Sequence, residues 1–190
     1  IPVDPYEAVR CDVPNLSTSL YFMVNDAFYT QETPKGHLPE GVFVGSMKEH
    51  PELVASHYGR LAKTDEDAVT ALNTMLAQDG LLVYVPRHTK VERAIQVINI
   101  LRSDVDLMVN RRVMIILEEG AELKMLFCDH AADDRNFLST QIIEAFVGNN
   151  ASLDLYCLEE THHKNVRISN VYIEQQANSR VNHNVITLHN

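Results

Sequence analysis

From Leu81 onward apolar and polar residues alternate, and a polar bend of constant length interrupts the alternation four times. The bends run Val85-Pro-Arg-His-Thr-Lys-Val91, Leu117-Glu-Glu-Gly-Ala-Glu-Leu123, Val147-Gly-Asn-Asn-Ala-Ser-Leu153 and Gln175-Gln-Ala-Asn-Ser-Arg-Val181. The residue closing each bend recurs after 32, 30 and 28 positions. A period of that size marks a stacked solenoid, in which no unit can bury its apolar side alone. Alternation places the apolar positions on one face of each strand. Before the bend, Leu81, Val113, Ile143 and Val171 form one column, and Val83, Ile115, Ala145 and Ile173 the next. After it come Val91, Leu123, Leu153 and Val181, then Arg93, Met125, Leu155 and His183, then Ile95, Phe127, Cys157 and Val185.

These columns predict a parallel β-helix over residues 81–190. The competing arrangement is an antiparallel sandwich, because amphipathic hairpins can be slid into rough register. Constant bends joined by variable connections favour stacking. Arg93, Gln175 and His183 break the apolar columns, and Arg93 is read as a terminal-coil effect, since end repeats are commonly atypical.

Before Leu81 the pattern differs, and residues 1–80 are read as a small mixed or helical domain. Tyr21-Phe-Met-Val and Val42-Phe-Val are short apolar runs bounded by Asn, Gly and Pro, as expected of brief strands. Ser46-Met-Lys-Glu49 has the form of a capping box. Leu53, Val54, His57, Tyr58 and Leu61 then follow at helical spacing. A second helix is predicted from Thr64 or Asp65, with Ala68, Val69, Leu72, Met75 and Leu76 as its apolar stripe and Gly80 as its end.

Composition narrows the class. Hydrophobic residues make up 45% and charged residues 22% of the 190 positions, ordinary values for a globular protein. The formal charge of −10 argues against a nonspecific nucleic-acid surface, which requires concentrated Lys and Arg. Most of it lies in residues 1–80, which carry 5 basic and 12 acidic side chains. The three cysteines, Cys11, Cys128 and Cys157, show no CxxC spacing. With no export signal or membrane-length apolar run in view, a reducing cytoplasm is expected. The absent initiator Met, and an end inside a strand-like run, suggest a piece of a longer chain.

Candidate chemistry concentrates on one edge of the stack. Cys128, His130, Asp133 and Asp134 occupy one connection; Cys157, Glu159, Glu160, His162 and His163 occupy its equivalent a coil later. Thiolate and imidazole suit zinc or iron, so a metal-dependent β-fold enzyme using Cys128, His130, His162 and His163 is the alternative function. Against it, Cys128 is one position out of register with Cys157, and Cys157 falls in an apolar column, where free Cys behaves as a small hydrophobe. Asn182-His183-Asn184 and His189 lack the rest of a cupin motif. Carbohydrate hydrolysis would need paired carboxylates across a cleft, and Asp133 with Asp134, or Asp104 with Asp106, reads better as solvated surface. Nucleophile-elbow, Walker and dinucleotide motifs are missing. No catalytic, cofactor or metal site is therefore assigned.

Several stretches resemble the SufB/SufD family of iron–sulfur cluster assembly proteins. They are Ala71-Leu-Asn-Thr74 running to Asp79-Gly80, Leu81-Leu-Val-Tyr-Val-Pro86, Ile95-Gln-Val-Ile-Asn99 and the Glu118-Glu-Gly-Ala121 bend, and the likeness covers roughly residues 45–190. The SufD side is favoured, because the cysteine-bearing insertions of SufB are not seen. The resemblance implies a right-handed parallel β-helix behind an N-terminal helical domain. It also implies a non-enzymatic role, pairing with a SufB-like protein and an ABC-type ATPase of the SufC kind. A homodimer through the uncapped end of the helix is a further expectation, since an open edge tends to pair.

Overall fold

The computed structural model describes residues 17–29, 38–161 and 163–189. It is a β-solenoid of about three turns, with 55% of residues in strands and 12% in helices. Strands β1 (Thr18–Val24), β5 (Ala94–Leu101), β7 (Glu122–Ala131), β9 (Ser152–Thr161) and β11 (Arg180–His189) pair in parallel as one sheet. Strands β4 (Leu81–Val85), β6 (Leu107–Leu117), β8 (Phe137–Val147) and β10 (Asn165–Gln175) form the other, also in parallel. Two short strands, β2 (Ala27–Tyr29) and β3 (Phe43–Ser46), close the first-coil edges antiparallel to β1 and β4.

The pre-bend columns stand as read: Leu81 pairs with Val113, Val113 with Ile143, and Ile143 with Val171. These residues and their partners on the facing sheet make one continuous apolar core. The bends stack as well. The third position after each opening residue, His88, Gly120, Asn150 and Asn178, has φ of 53°, 67°, 58° and 58°. Left-handed backbone is tolerated best by Gly and Asn, and these residue types stand at three of the four corners, with His88 at the first.

Two post-bend columns need correction in the first coil, those that placed Arg93 with Met125 and Ile95 with Phe127. Met125 pairs with Ile95 and Phe127 with Val97, so Arg93 is not in the Met125 column. Lys90 still bridges to Glu122, which leaves two extra residues in the first coil between that bridge and Ile95. Arg93 is carried there, exposed to water. Its place in the sequence pattern came from an insertion, because a charged guanidinium inside an apolar column would lose its hydration.

The N-terminal region is woven into the stack: β1 lies on β5, with Tyr21 opposite Val97 and Met23 opposite Asn99. The Ser46 capping box is present, but it caps a single 3₁₀ turn at Met47–Glu49. The α-helix α1 begins afresh at Pro51 and ends at His57, so the predicted face extending to Leu61 is cut short. Pro disfavours helical backbone at the residue before it, and His50 accordingly has φ −132° and ψ 64°.

Helix α2 spans Ala68–Leu76, capped by Asp67, whose side chain accepts from the Thr70 amide. Its buried residues are Thr70 and Asn73, while Met75 is 72% exposed. The predicted apolar stripe is thus not the face that packs. The buried side of α2 meets hydrogen-bonding groups of the second sheet, Thr140 for Asn73 and Tyr172 for Thr70. Gly80 does not end the helix, which is closed at Ala77. A Cβ on Gly80 would lie 2.5 Å from the Arg112 carbonyl oxygen, so Gly80 permits a close approach of backbones.

Candidate functional site

Extending the inward columns toward the far end of each coil changes their chemistry. Two residues beyond Val97, Phe127 and Cys157 stand Asn99, Asp129 and Glu159, paired in register. Facing them from the second sheet are Arg111, Gln141 and Arg167. Arg111 Nη1 donates to Asp129 Oδ1 at 3.0 Å, and its Nε donates to the Asn25 carbonyl at 2.8 Å. Asn99 Nδ2 donates to the same Asp129 oxygen at 2.9 Å. Arg167 Nη2 lies 3.2 Å from Asp129 Oδ2, and Arg167 Nη1 pairs with Glu159. Thr187 Oγ1 donates to the other Glu159 oxygen at 3.2 Å.

Two guanidinium and two carboxylate groups therefore alternate inside the solenoid and link β6, β7, β9 and β10. Burial lowers the Arg111 pKa to about 10 against the opposing pull of Asp129, so the guanidinium stays charged at neutral pH. A cavity of about 20 Å³ adjoins the cluster, lined in part by Arg111, Asp129, His130, Glu159 and Arg167. That is the size of about one water molecule. Arg111 Nη2, Arg167 Nε and Gln141 Nε2 are buried there with no hydrogen-bond partner among the described residues.

A second ion pair lies outside the second sheet. Arg112 Nη2 donates to Glu144 Oε2 at 2.6 Å, with both side chains fully buried. Glu144 also accepts from the amides of Gly59 (3.0 Å), Leu61 (2.9 Å) and Ala62 (3.0 Å). The Tyr58 ring covers the Arg112 guanidinium at 4.2 Å. Asn73 Nδ2 donates to the Arg111 carbonyl and to Thr140 Oγ1, both at 2.9 Å. Thr74 Oγ1 accepts from Arg112 Nη1 at 2.9 Å. The Leu72-Asn-Thr74 motif is thus the bolt that fastens α2 to the sheet.

The predicted edge cluster is not assembled as expected. Cys128 pairs in register with Leu158 and packs outside the first sheet with Phe22, Ile98 and Ile100. Cys157 pairs with Phe127 and belongs to the interior core. The two thiols thus face opposite sides of one sheet, as the one-residue register offset requires. His162 and Cys11 lie outside the described residues. Among the described residues no three His, Cys, Asp or Glu side chains converge as a metal shell.

The suspected catalytic carboxylates hold corners together. Asp133 accepts from the Ser103 amide at 2.8 Å, Asp134 pairs with Lys164 at 2.8 Å, and Asp106 accepts twice from Asn136. Burial raises the Cys157 thiol to about 11, so it is neutral and a poor nucleophile. The interior quartet Arg111, Asp129, Glu159 and Arg167 was missed by sequence reasoning. Its signal was present: Asn99, Asp129 and Glu159 continue inward columns by one further alternation.

Comparison with known proteins settles the family. A model described as "SufBD protein N-terminal region" matches residues 1–97, and one described as "SUF system FeS cluster assembly, SufBD core domain" matches residues 99–190. The chain belongs to the SufB/SufD family of iron–sulfur cluster assembly proteins. It is 27% identical over 112 residues to the iron–sulfur cluster assembly SufBD family protein ABCI8, chloroplastic, of Arabidopsis thaliana, covering 57% of this chain and 19% of that protein. It is 28% identical over 118 residues to the iron–sulfur cluster assembly protein SufD of Bacillus subtilis, covering 57% and 25%. Protein ABCI7, chloroplastic, of Arabidopsis thaliana is 26% identical over 151 residues, covering 75% and 32%. The chain thus spans about a fifth to a third of these relatives. No helix among the described residues is long and apolar enough to cross a membrane.

Proposed function

We propose that this SufB/SufD family chain is a non-catalytic, SufD-like scaffold segment that helps hold an iron–sulfur cluster assembly complex together. Its partners in this reading are a SufB-like protein and a SufC-like ABC-type ATPase, met in the cytoplasm. The observation that carries the reading is where the ionisable side chains are spent. Arg111, Arg112, Asp129, Glu144, Glu159 and Arg167 are consumed in buried pairs that tie coils to one another and helices to the sheet. Such pairs resist distortion once formed, because breaking one strands a charge away from water. A frame of this kind transmits force between attached subunits without deforming.

The exposed apolar side chains of β11 suit a docking surface. Among the described residues β10 and β11 stand last in their sheets, and Val185, Ile186 and Leu188 are about half exposed. An unprotected edge pairs with another chain, which suits a SufB-like partner or a second copy. The test is co-expression of the complete gene with a SufB-like protein and a SufC-like ATPase, followed by affinity purification. Recovery of both in fixed ratio supports the proposal. Recovery of neither overturns it.

A further inference from the structure

Beside the interior quartet, Arg111 Nη2, Arg167 Nε, Asp129 Oδ2 and Asn165 Oδ1 are buried with no hydrogen-bond partner among the described residues. Arg167 Nη2 holds Asp129 Oδ2 as an ion pair at 3.2 Å, without the alignment of a hydrogen bond. The four atoms belong to residues that line the cavity of about 20 Å³. The residues around them already seal them from solvent, so a neighbour stacked on the last coil could not reach them. Two of the four are N–H donors and two are oxygen acceptors. Folded proteins pair nearly all such buried groups, with protein or with ordered water.

We propose that the quartet encloses one resident water molecule, which accepts from Arg111 Nη2 and Arg167 Nε and donates to Asp129 Oδ2 and Asn165 Oδ1. A water needs roughly 10–15 Å³ of such space and two to four polar partners, and both conditions are met here. With two lone pairs and two protons, water matches two donors and two acceptors. A halide would accept from the guanidinium groups but press against a carboxylate and an amide oxygen. A metal ion would suit those oxygens but meet two guanidinium charges. The charges balance without an added ion, since Asp129 and Glu159 offset Arg111 and Arg167. Arg111 lies on β6 and Arg167 on β10, with β8 between them in the second sheet. On β8, Ser139 stands in register with Arg167 and lines the cavity. Its small side chain leaves the space, and the water links two strands that are not neighbours.

The test uses the complete protein. A high-resolution crystal structure should show a single ordered peak within hydrogen-bonding distance of Arg111 Nη2, Arg167 Nε, Asp129 Oδ2 and Asn165 Oδ1. A bromide soak should leave that peak without anomalous signal. In solution, oxygen-17 relaxation dispersion should count one long-lived water fewer in Ser139→Val, whose methyl groups fill the space, while circular dichroism stays unchanged. The urea midpoint of that variant should fall, because the four atoms lose their shared partner, whereas filling a dry cavity would raise it. A cavity without density, anomalous bromide within it, a raised midpoint, or equal counts of long-lived waters would overturn the proposal. Should Ser139→Val not fold, the crystal structure of the parent protein decides by itself.

Discussion

Arg112 Nη2 and Glu144 Oε2 stand 2.6 Å apart, and water reaches neither side chain. Glu144 takes three backbone amides of the loop after α1, and Arg112 takes Thr74 of α2. One ion pair thus anchors both helices to the second sheet. Arg112→Met and Glu144→Gln should each lower stability, by about 3–5 kcal/mol where the surviving charge is stranded. Combined, they should cost less than their sum, with a coupling of about 1–3 kcal/mol. Urea unfolding of the four proteins measures the cycle, and strictly additive losses would show that the pair is not coupled.

The same carboxylate sets an acid limit. Burial pushes the Glu144 carboxyl upward, but the Gly59 and Ala62 amides and the Arg112 guanidinium outweigh burial and hold it below its ordinary value. A carboxylate depressed in the folded state contributes stability that is complete above its unfolded pKa, about 4.3. That contribution is lost as pH falls through the lower folded value. Urea midpoints should drop on acidification below about pH 4, and the drop should be smaller in Glu144→Gln. Equal pH dependence in the two proteins would remove Glu144 as the cause.

Left-handed corners predict a graded response in the bends. Gly120 has φ of 67°, and a methyl added there would lie 2.6 Å from His88 Nδ1. His88 is exposed and can move aside, so Gly120→Ala should cost about 1–2 kcal/mol, the backbone penalty. Asn150→Gly keeps the left-handed corner and should change stability by less than about 1 kcal/mol. Thermal melts of the two variants make the comparison, and equal losses would refute the corner argument.

Exposed apolar side chains on β11 should drive self-association of this chain. Val185, Ile186 and Leu188 are 51%, 52% and 51% exposed on an edge strand without lysine or proline. Ile186→Lys combined with Leu188→Lys places charge on that edge, which natural sheets use to block pairing. Sedimentation at rising concentration should show dimers or larger species for the parent chain and a shift toward monomer for the variant. A parent chain that stays monomeric throughout would count against the homodimer.

How far the sequence was legible depended on the kind of contact. The pre-bend columns from Leu81 to Ile173 were readable because a strand repeats every two residues and coils of nearly equal length stack like on like. The Arg93 column failed because two inserted residues between Lys90 and Ile95 shift the register without disturbing the alternation. The face of α2 was misread for a different reason. Helical periodicity finds apolar stripes, and here the covered side is Thr70 and Asn73, which answer polar groups brought from β10 and from β6 and β8 respectively.

The order of apolar and polar residues by itself determined that the chain would coil, where it would bend and which columns would fill the core, since those follow from backbone period and hydrophobic burial. Only the tertiary structure decided that Asp129 meets Arg111 and Arg167, that Glu144 meets Arg112, and that Cys157 meets His183 instead of Cys128. These partners lie between 15 and 40 positions apart or on different sheets. Local propensity carries no information about such distances; they are set when stacked coils bring separate columns face to face.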